Sequence, residues 1–247
     1  MATRNFEQII EKAKQTGVRQ RVVIAGADAE NILLGAFEAE AAGFAELTLV
    51  GEAAKVNPLL EKLGLADRTY RRVTTQPGES VVQTAIDVIN RGEGDILMRG
   101  NVQTREFLMP LLDKNNGLRT DRLLTHIDLV SMPEYPKLIA IGDVTVTVEP
   151  NPRQKKEIIR NMVDTLKVVG DEKPNIALLA LVEEPSFHMR DTLEARDLVR
   201  EHESRPIADC NLVGPIAYDL ILSKEAARLT KMVEGLLEFT RIEDGRF

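Results

Sequence analysis

The apolar positions alternate between helical and strand spacing along almost the whole chain. Apolar residues at i, i+3, i+4 and i+7 are typical of a helix with one buried face, and a short unbroken apolar run is typical of a buried strand. Arg21–Ala25 has the strand pattern, and Ile32, Leu33 and Ala36 after it have the helical one. This alternation predicts an α/β protein with mostly parallel sheets flanked by helices. The other predicted strands are Leu47–Gly51, Arg71–Thr75, Asp95–Met98, Asn175–Val182 and Asp209–Val213.

The middle of the chain breaks this alternation. Two β-rich runs, Leu123–Met132 and Lys137–Val148, are separated only by Pro133–Pro136. So short a connection suits an antiparallel hairpin and excludes a parallel crossover. We therefore predict two α/β lobes, residues 1–120 and residues 121–247, with a cleft between them.

Two helix starts after the hairpin have recognisable capping chemistry. Asn151 is a good N-cap, and Pro152 suits the first helical position because its missing N–H is not needed there. Ser223 is the expected N-cap of a last helix, which we expect to dock through an apolar stripe. That stripe consists of Leu229, Met232, Val233 and Leu236.

Composition excludes several functional classes. Of the 247 residues, 43% are apolar and 29% are charged, and the net charge of −7 argues against general nucleic-acid binding. The single cysteine, Cys210, excludes an internal disulfide and is expected to be an inert thiol within a strand rather than a nucleophile. The longest apolar run, Ile176–Val182, is too short to cross a bilayer, and no apolar signal core begins the chain. We expect a cytoplasmic protein without a metal site, since no metal-binding spacing joins His126, His188 and His202.

The strongest candidate site is the turn Arg99–Thr104, which follows a predicted strand. Open α/β sheets bind ligands at the carboxyl ends of their strands. Gly100 permits close approach to the backbone, Asn101, Gln103 and Thr104 offer hydrogen bonds, and the following helix offers its positive end. An anion cradle and a well-capped structural turn are both compatible with these residues.

An earlier strand-to-helix turn, Gly26–Asn31, is a weaker candidate. A helix N-terminus can hold a phosphate, but Asp28 and Glu30 bring negative charge to this one. We therefore expect simple capping here. Neither the GxGxxG nor the GxxxxGK[ST] pattern follows a strand, so neither nucleotide fingerprint is present.

A basic segment and a later turn complete the candidates. Arg119 and Arg122 can bind phosphate as a fork, although Asp121 offers them an ion pair instead. His126 is either a ligand-orienting side chain or a packed, hydrogen-bonded one. Near the end of the chain, Gly214–Asp219 forms a turn whose Asp219 is either a site carboxylate or an exposed helix residue.

Taken in order, these segments resemble the phosphate acetyl/butyryltransferase family, and its butyryltransferase branch most closely. The resemblance extends over roughly residues 20–227, and its two central blocks are the specific ones. The segments are Val23–Asn31, Asp95–Thr104, Gly117–His126, Gly142-Asp143 with Pro150, Met189 with Thr192–Ala195, Gly214–Asp219 and Ser223–Ala227.

The resemblance implies a fold, a reaction and roles for the candidate residues. It implies a two-lobed fold of the isocitrate/isopropylmalate dehydrogenase type, a homodimer, and reversible acyl transfer between coenzyme A and inorganic phosphate. Acyl-CoA and phosphate would be the substrates, coenzyme A being a substrate rather than a bound cofactor, and no metal or redox cofactor would take part. The implied catalytic residues are Asn101, Thr104, Arg122 and His126, and the implied substrate-binding residues are Gly100, Gln103, Arg119, Asp143, Gly214 and Asp219.

The chain also departs from the family pattern. Ser186-Phe187-His188 replaces Asn-Pro-Lys, Thr147 stands where an asparagine is expected, and the family's C-terminal return is absent before Phe247. The leading hypothesis is therefore a phosphate butyryltransferase or a shortened relative. The alternatives are a non-catalytic acyl-CoA-binding or scaffold relative and a phosphate acetyltransferase.

Overall fold

The computed structural model describes residues 5–133, 135 and 137–222. The chain divides into two compact units. The first unit is Ile10–Arg122, and the second contains the chain from Leu123 onward together with the residues before Ile10. Each unit is described by itself.

The first unit is built on a parallel sheet flanked by helices. Its four strands have the order β3-β2-β1-β4 and are all parallel, which confirms the predicted α/β class here. The elements up to Arg122 are α1 (Phe6–Gln15), β1 (Gln20–Ala25), α2 (Glu30–Ala41), β2 (Ala45–Glu52), α3 (Ala53–Lys62), β3 (Arg71–Thr75), α4 (Val81–Asn90), β4 (Ile96–Arg99) and α5 (Thr104–Leu111).

Both faces of this sheet are covered, which explains the unbroken apolar runs of its central strands. Val23 and Ile24 are neighbours in β1 and point to opposite faces, yet both are fully buried. Ile24 packs in a cluster with Leu33 and Phe37 of α2, whereas Val23 packs with Ile86 of α4. The packing of the two helical layers therefore fixes the register of the strands and the position of their carboxyl ends.

The second unit contains two small sheets within the described residues. β5 and β6 form the predicted antiparallel hairpin, and β7 and β8 are parallel and joined through α7. The expectation of mostly parallel sheets is thus correct for the first unit and only partly correct for the second. The elements are β5 (Ile127–Val130), β6 (Ile139–Gly142), α6 (Pro152–Val168), β7 (Asn175–Leu179), α7 (Arg190–Ser204), β8 (Asn211–Ile216) and α8 (Tyr218–Leu222).

The core of the second unit lies between its helices and strands. Ile159 and Met162 of α6, Leu198 of α7, Ile176 of β7 and Leu212 of β8 are buried together. These residues stand at the apolar positions of their helices and on one face of their strands. The same burial pattern explains why periodicity alone located these elements.

Several element ends differ from the predictions, among them those of the two hairpin strands, which are shorter than the predicted β-rich runs. The strand predicted as Asn175–Val182 ends at Leu179, and Leu181 beyond it is 76% exposed. Cys210 is buried as expected but lies one residue before β8 instead of within it. An apolar run alone does not mark where a strand leaves the core, so these ends could not be read from composition.

The helix start at Asn151 is confirmed in detail. The Asn151 side chain accepts a hydrogen bond from the Gln154 main-chain N–H (3.1 Å), and the Gln154 side chain accepts one from Asn151 N–H (3.0 Å). This is a complete capping box. The expected last helix, from Ser223 through Leu236, lies outside the described residues. Among the described helices, none has the length and apolar character needed to cross a membrane.

Candidate functional site

Two strand-to-helix turns meet at the carboxyl edge of the parallel sheet. β1 and β4 are neighbours, and Ala25 pairs with Arg99 at their ends. The Gly100 N–H donates to the Ala25 carbonyl (2.9 Å), and the Asn101 N–H donates to the Gly26 carbonyl (2.8 Å). The predicted site turn is therefore joined by main-chain hydrogen bonds to the turn that follows β1.

Glycine is required at position 100 because of the neighbouring main chain. A Cβ there would lie 2.0 Å from the Gly26 carbonyl oxygen and 2.9 Å from that of Ala25. Gly26 itself has a φ of +81°, which favours glycine. The expectation that Gly100 makes room for a ligand is thus corrected in part, since what approaches it is the protein's own backbone.

The helix N-terminus at this turn has no side-chain cap. Gln103 is the N-cap of α5, and its side chain makes no capping hydrogen bond. By contrast, Ser80 caps α4 and Asn151 caps α6 through their side chains. The first amides of α5 are therefore available to an anionic acceptor, as phosphate-binding helix N-termini require.

The turn after β1 also lacks the expected cap. Ala29 is the N-cap of α2 and makes no side-chain capping bond. Glu30 instead pairs with Lys62 of α3 (2.6 Å). The expected simple capping is therefore not observed, because the N-cap position is Ala29, which has no side-chain acceptor.

Arg99 lies in the predicted turn but was given no role of its own by the sequence. Its Nη1 donates a 2.7 Å hydrogen bond to the hydroxyl Oγ1 of Thr104, the first residue of α5. The guanidinium thus lies beside the uncapped amides and brings a permanent positive charge to the turn. Its position as the last residue of β4, directly before Gly100, was the available clue.

An open groove of about 590 Å³ lies beside this turn, between α4 and α5. Val81, Val102 and Met109 supply apolar lining, and Arg105 and Glu106 supply charge. Met109 is 66% exposed. The groove therefore offers an apolar surface that begins at Val102, within the candidate turn.

The predicted arginines lie on the loop that leaves α5. Leu118 anchors this loop by donating its N–H to the Leu111 carbonyl (2.9 Å) and packing against the core around α4. Arg119 is exposed, and Arg122 donates its main-chain N–H to the Thr120 hydroxyl (3.2 Å). Within the described residues, Asp121 forms no ion pair with either arginine. The structural alternative, in which Asp121 pairs with one of them, is therefore not observed.

In the second unit, one threonine links His126 to Asp143. His126 Nδ1 lies 3.1 Å from the Thr145 hydroxyl, and the Thr145 N–H donates to Asp143 Oδ1 (3.1 Å). His126 Nε2 also lies 3.2 Å from Asp128 Oδ1. Both ring nitrogens therefore have partners, as expected of a hydrogen-bonded histidine, and the ring lies directly before β5 rather than within it.

The Asp143 carboxylate is used by its own loop. It accepts hydrogen bonds from the main-chain N–H groups of Thr145, Val146 and Thr147, at 3.1, 2.9 and 3.2 Å. These bonds end β6 at Gly142 and shape the loop toward Pro150. A direct role of Asp143 toward substrate stays a prediction.

The last two predicted residues, Gly214 and Asp219, have different surroundings in the second unit. Gly214 lies inside β8, where a Cβ would meet the Leu178 side chain at 2.7 Å, whereas Asp219 is exposed on α8. Gly214 therefore has a packing reason to be glycine. Burial raises the pKa of the nearby Cys210 thiol, as expected of an inert cysteine.

In the part of the chain that the structure describes, no group of three or more His, Cys, Asp or Glu side chains is placed to hold a metal ion. The Arg99–Thr104 turn presents N–H, hydroxyl and guanidinium donors, with Glu106 as the acidic residue of the same helical turn. Such donors suit an anionic ligand.

Residues 69–238 match the protein family described as Phosphate acetyl/butaryl transferase. The chain belongs to this family. The match contains the Arg99–Thr104 turn, the loop with Arg119 and Arg122, the hairpin and β8, but not Gly26.

Similar curated proteins carry both activities named in the family description. A phosphate butyryltransferase of Clostridium acetobutylicum is 29% identical over 91% of this chain and 74% of its own. A phosphate acetyltransferase of Thermotoga maritima is 26% identical over 90% of this chain and 75% of its own.

Solved structures share the fold. A branched-chain phosphotransacylase from Enterococcus faecalis V583 superposes with a TM-score of 0.73 at 22% identity, covering 86% of this chain and 74% of its own. A phosphotransacetylase from Streptococcus pyogenes has a TM-score of 0.72 at 15% identity, with 91% and 77% coverage. At these identities the likeness concerns architecture only.

Proposed function

We propose that the protein transfers a short-chain acyl group reversibly between coenzyme A and inorganic phosphate. The observation that carries the proposal is the family match over residues 69–238, which includes the Arg99–Thr104 turn. In the forward step, a phosphate oxygen attacks the thioester carbonyl carbon and a C–O bond forms. The C–S bond then breaks, coenzyme A leaves as a thiolate that takes up a proton, and acyl phosphate remains.

The donor set at the carboxyl edge of the sheet supports this reaction. The uncapped first turn of α5 supplies main-chain N–H groups, and Asn101 and Gln103 supply side-chain amides beside it. Donors that are already in place stabilise the negative charge of phosphate and of the oxyanion that forms during attack. We assign Asn101, Gln103 and Thr104 to this role, and Gly100 serves substrate binding by shaping the turn, because its own N–H is bonded to the Ala25 carbonyl.

The remaining predicted residues extend the proposal. Arg119 and Arg122 would neutralise phosphate, since a guanidinium binds a phosphate oxygen pair as a fork. His126 would orient a ligand. Asp143, Gly214 and Asp219 would serve substrate binding, with Asp143 and Gly214 acting through the backbone they shape.

The acyl group is proposed to be butyryl or of similar length. The apolar lining of the groove between α4 and α5 supports this preference over acetyl. Each methylene in an apolar pocket contributes only about 1–3 kcal/mol of discrimination, so the preference is expected to be graded. Comparing kcat/KM for acetyl-, propionyl- and butyryl-CoA separates the two alternatives, because a phosphate acetyltransferase would favour the shortest.

The decisive experiment is release of coenzyme A thiol from butyryl-CoA with and without phosphate. We expect phosphate-dependent release, and at least about a hundredfold loss of kcat/KM for phosphate in Arg122→Ala and Asn101→Ala. Asn115→Ala is the matched control, because Asn115 is exposed on the loop after α5. No release by a folded protein that still binds butyryl-CoA in calorimetry would replace the proposal with a non-catalytic binding relative.

The proposal also includes a homodimer in the cytoplasm. Both points rest on the family resemblance and on the composition of the chain. Light scattering of the purified protein tests the dimer, and a mass equal to one chain would contradict it.

A further inference from the structure

The hydrogen bond between Arg99 and Thr104 constrains the direction in which the threonine hydroxyl can act. A hydroxyl group has one proton to donate and two lone pairs that accept. A guanidinium has only N–H donors and keeps its positive charge at any ordinary pH. Since Arg99 Nη1 lies 2.7 Å from Thr104 Oγ1, the guanidinium must be the donor and the hydroxyl oxygen the acceptor.

Thr104 is exposed, so its proton is available to an acceptor outside the protein, such as water or a bound ligand. A threonine in a helix commonly donates its proton to the carbonyl four residues earlier, which is here that of Gly100. That carbonyl accepts the Val102 N–H (2.9 Å), and no hydrogen bond joins it to the Thr104 hydroxyl among the described residues. In the described part of the chain, the Thr104 hydroxyl donates no hydrogen bond.

The charge around this hydroxyl is suited to an anion. Arg99 contributes a cation, and α5 contributes its positive end, because the Gln103 side chain does not cap it. Glu106 is the acidic residue of the same turn, and it lines the groove toward α4. The one polar side-chain contact of the Thr104 oxygen among the described residues is therefore with a cation.

We infer that Arg99 is a positioning residue whose guanidinium holds the Thr104 hydroxyl as a hydrogen-bond donor to an oxygen of inorganic phosphate. The inference rests on the proposed function. Arg99 acts through Thr104, so its removal lets the hydroxyl rotate and present a lone pair to the phosphate. The two residues therefore form one unit, and their kinetic effects are not additive.

Kinetics of single and double variants test this coupling. We expect Arg99→Met and Thr104→Val each to raise KM for phosphate about 10- to 100-fold, since a hydrogen bond to a charged group is lost or misdirected. KM for butyryl-CoA should stay within about twofold in both, whereas damage to the fold would change both constants. The double variant should be no worse than Thr104→Val alone.

Conservative variants and a control complete the experiment. Arg99→Lys and Thr104→Ser should recover most of the loss, because each keeps a cationic donor or a hydroxyl. Arg19→Met is the control, since Arg19 is exposed and precedes β1 at the opposite edge of the sheet. Thermal unfolding of every variant shows whether the fold is intact.

The outcomes separate this inference from the proposed function. If the wild-type protein is active, two results overturn the inference alone. One is an Arg99→Met variant whose KM for phosphate is unchanged. The other is an Arg99→Met effect on this KM that is equally large in the Thr104→Val background. A selective rise of KM for butyryl-CoA overturns it as well. Wild-type protein without phosphate-dependent release overturns the proposed function and the inference with it.

Discussion

The main chains of Gly100 and Gly26 approach so closely that a Cβ on Gly100 would lie 2.0 Å from the Gly26 carbonyl oxygen. The neighbouring Asn101 N–H donates to that same carbonyl at 2.8 Å. The candidate turn after β4 is thus held in place by the turn after β1. Its geometry depends on a residue 74 positions away along the chain.

This contact predicts that Gly100→Ala destabilises the protein. The added methyl group meets backbone, which yields less readily than a side chain, so we expect a loss of at least about 1–3 kcal/mol in the free energy of unfolding. Activity should fall with it, because the amides of the turn are displaced. Urea unfolding and the thiol-release assay measure the two effects.

Gly35→Ala is the matched control for that prediction. Gly35 lies inside α2, and a Cβ added there would meet no atom within 4 Å beyond its own helix backbone and chain neighbours. Alanine at this position should raise the free energy of unfolding by about 0.5–1 kcal/mol, because glycine is disfavoured in a helix interior. Equal destabilisation by both substitutions would contradict the role given to the Gly26 contact.

Two helix N-caps give opposite predictions. Asn151→Ala should lower the free energy of unfolding by about 0.5–2 kcal/mol, because a complete capping box is lost. Gln103→Ala should leave stability nearly unchanged, since its side chain makes no capping bond, but should weaken phosphate binding. Chemical unfolding together with KM for phosphate checks both, and a stability loss in Gln103→Ala without a kinetic effect would assign Gln103 to structure alone.

The features that sequence predicted well are local ones. The Asn151 cap, the hairpin near residue 133 and the buried strand at Val23 each depend on neighbouring residues, whose spacing is visible directly. The missed features join distant parts of the chain. The Glu30–Lys62 pair joins α2 to α3, and the Gly26 main chain lies against Gly100, and no local pattern indicates either contact.

The sequence therefore predicted where the candidate site lies but not the hydrogen bonds that form within it. The turn at the end of β4 was found from its glycine and its polar residues. The hydrogen bond between Arg99 Nη1 and Thr104 was not predicted, because it depends on how the chain turns between strand and helix. The Thr145 link between His126 and Asp143 likewise requires the two arms of the hairpin to be placed together.

Cys210 should react slowly in the folded protein. The thiol is 5% exposed, and burial raises its pKa, so little thiolate is available to a reagent at neutral pH. We expect negligible labelling by a thiol reagent during the coenzyme A assay and one equivalent after denaturation. Rapid stoichiometric labelling of the native protein would contradict this burial, and Cys210→Ser shows whether any background in the assay comes from this thiol.

The ion pair between Arg21 and Asp95 predicts a pH-dependent contribution to stability. The Arg21 side chain and the Arg21 main-chain N–H both donate to the Asp95 carboxylate. These hydrogen bonds, that of the side chain having the larger effect, lower the pKa of Asp95 from the usual 3.8 to about 2. A carboxyl whose pKa is lower in the folded state stabilises the protein above its ordinary pKa. That contribution is lost as the pH falls through the folded-state value.

Asp95→Asn should therefore lower Tm at pH 7, and the difference from wild type should shrink between about pH 4 and pH 2. The bond also joins the starts of β1 and β4, so the loss acts on the two strands that carry the candidate turns. Asp67→Asn is the control, because Asp67 is exposed and has no ion-pair partner among the described residues. Melting curves across this pH range measure the difference in Tm from wild type. If that difference stays constant with pH, or is equally large in Asp67→Asn, the Asp95 charge does not stabilise the protein through Arg21.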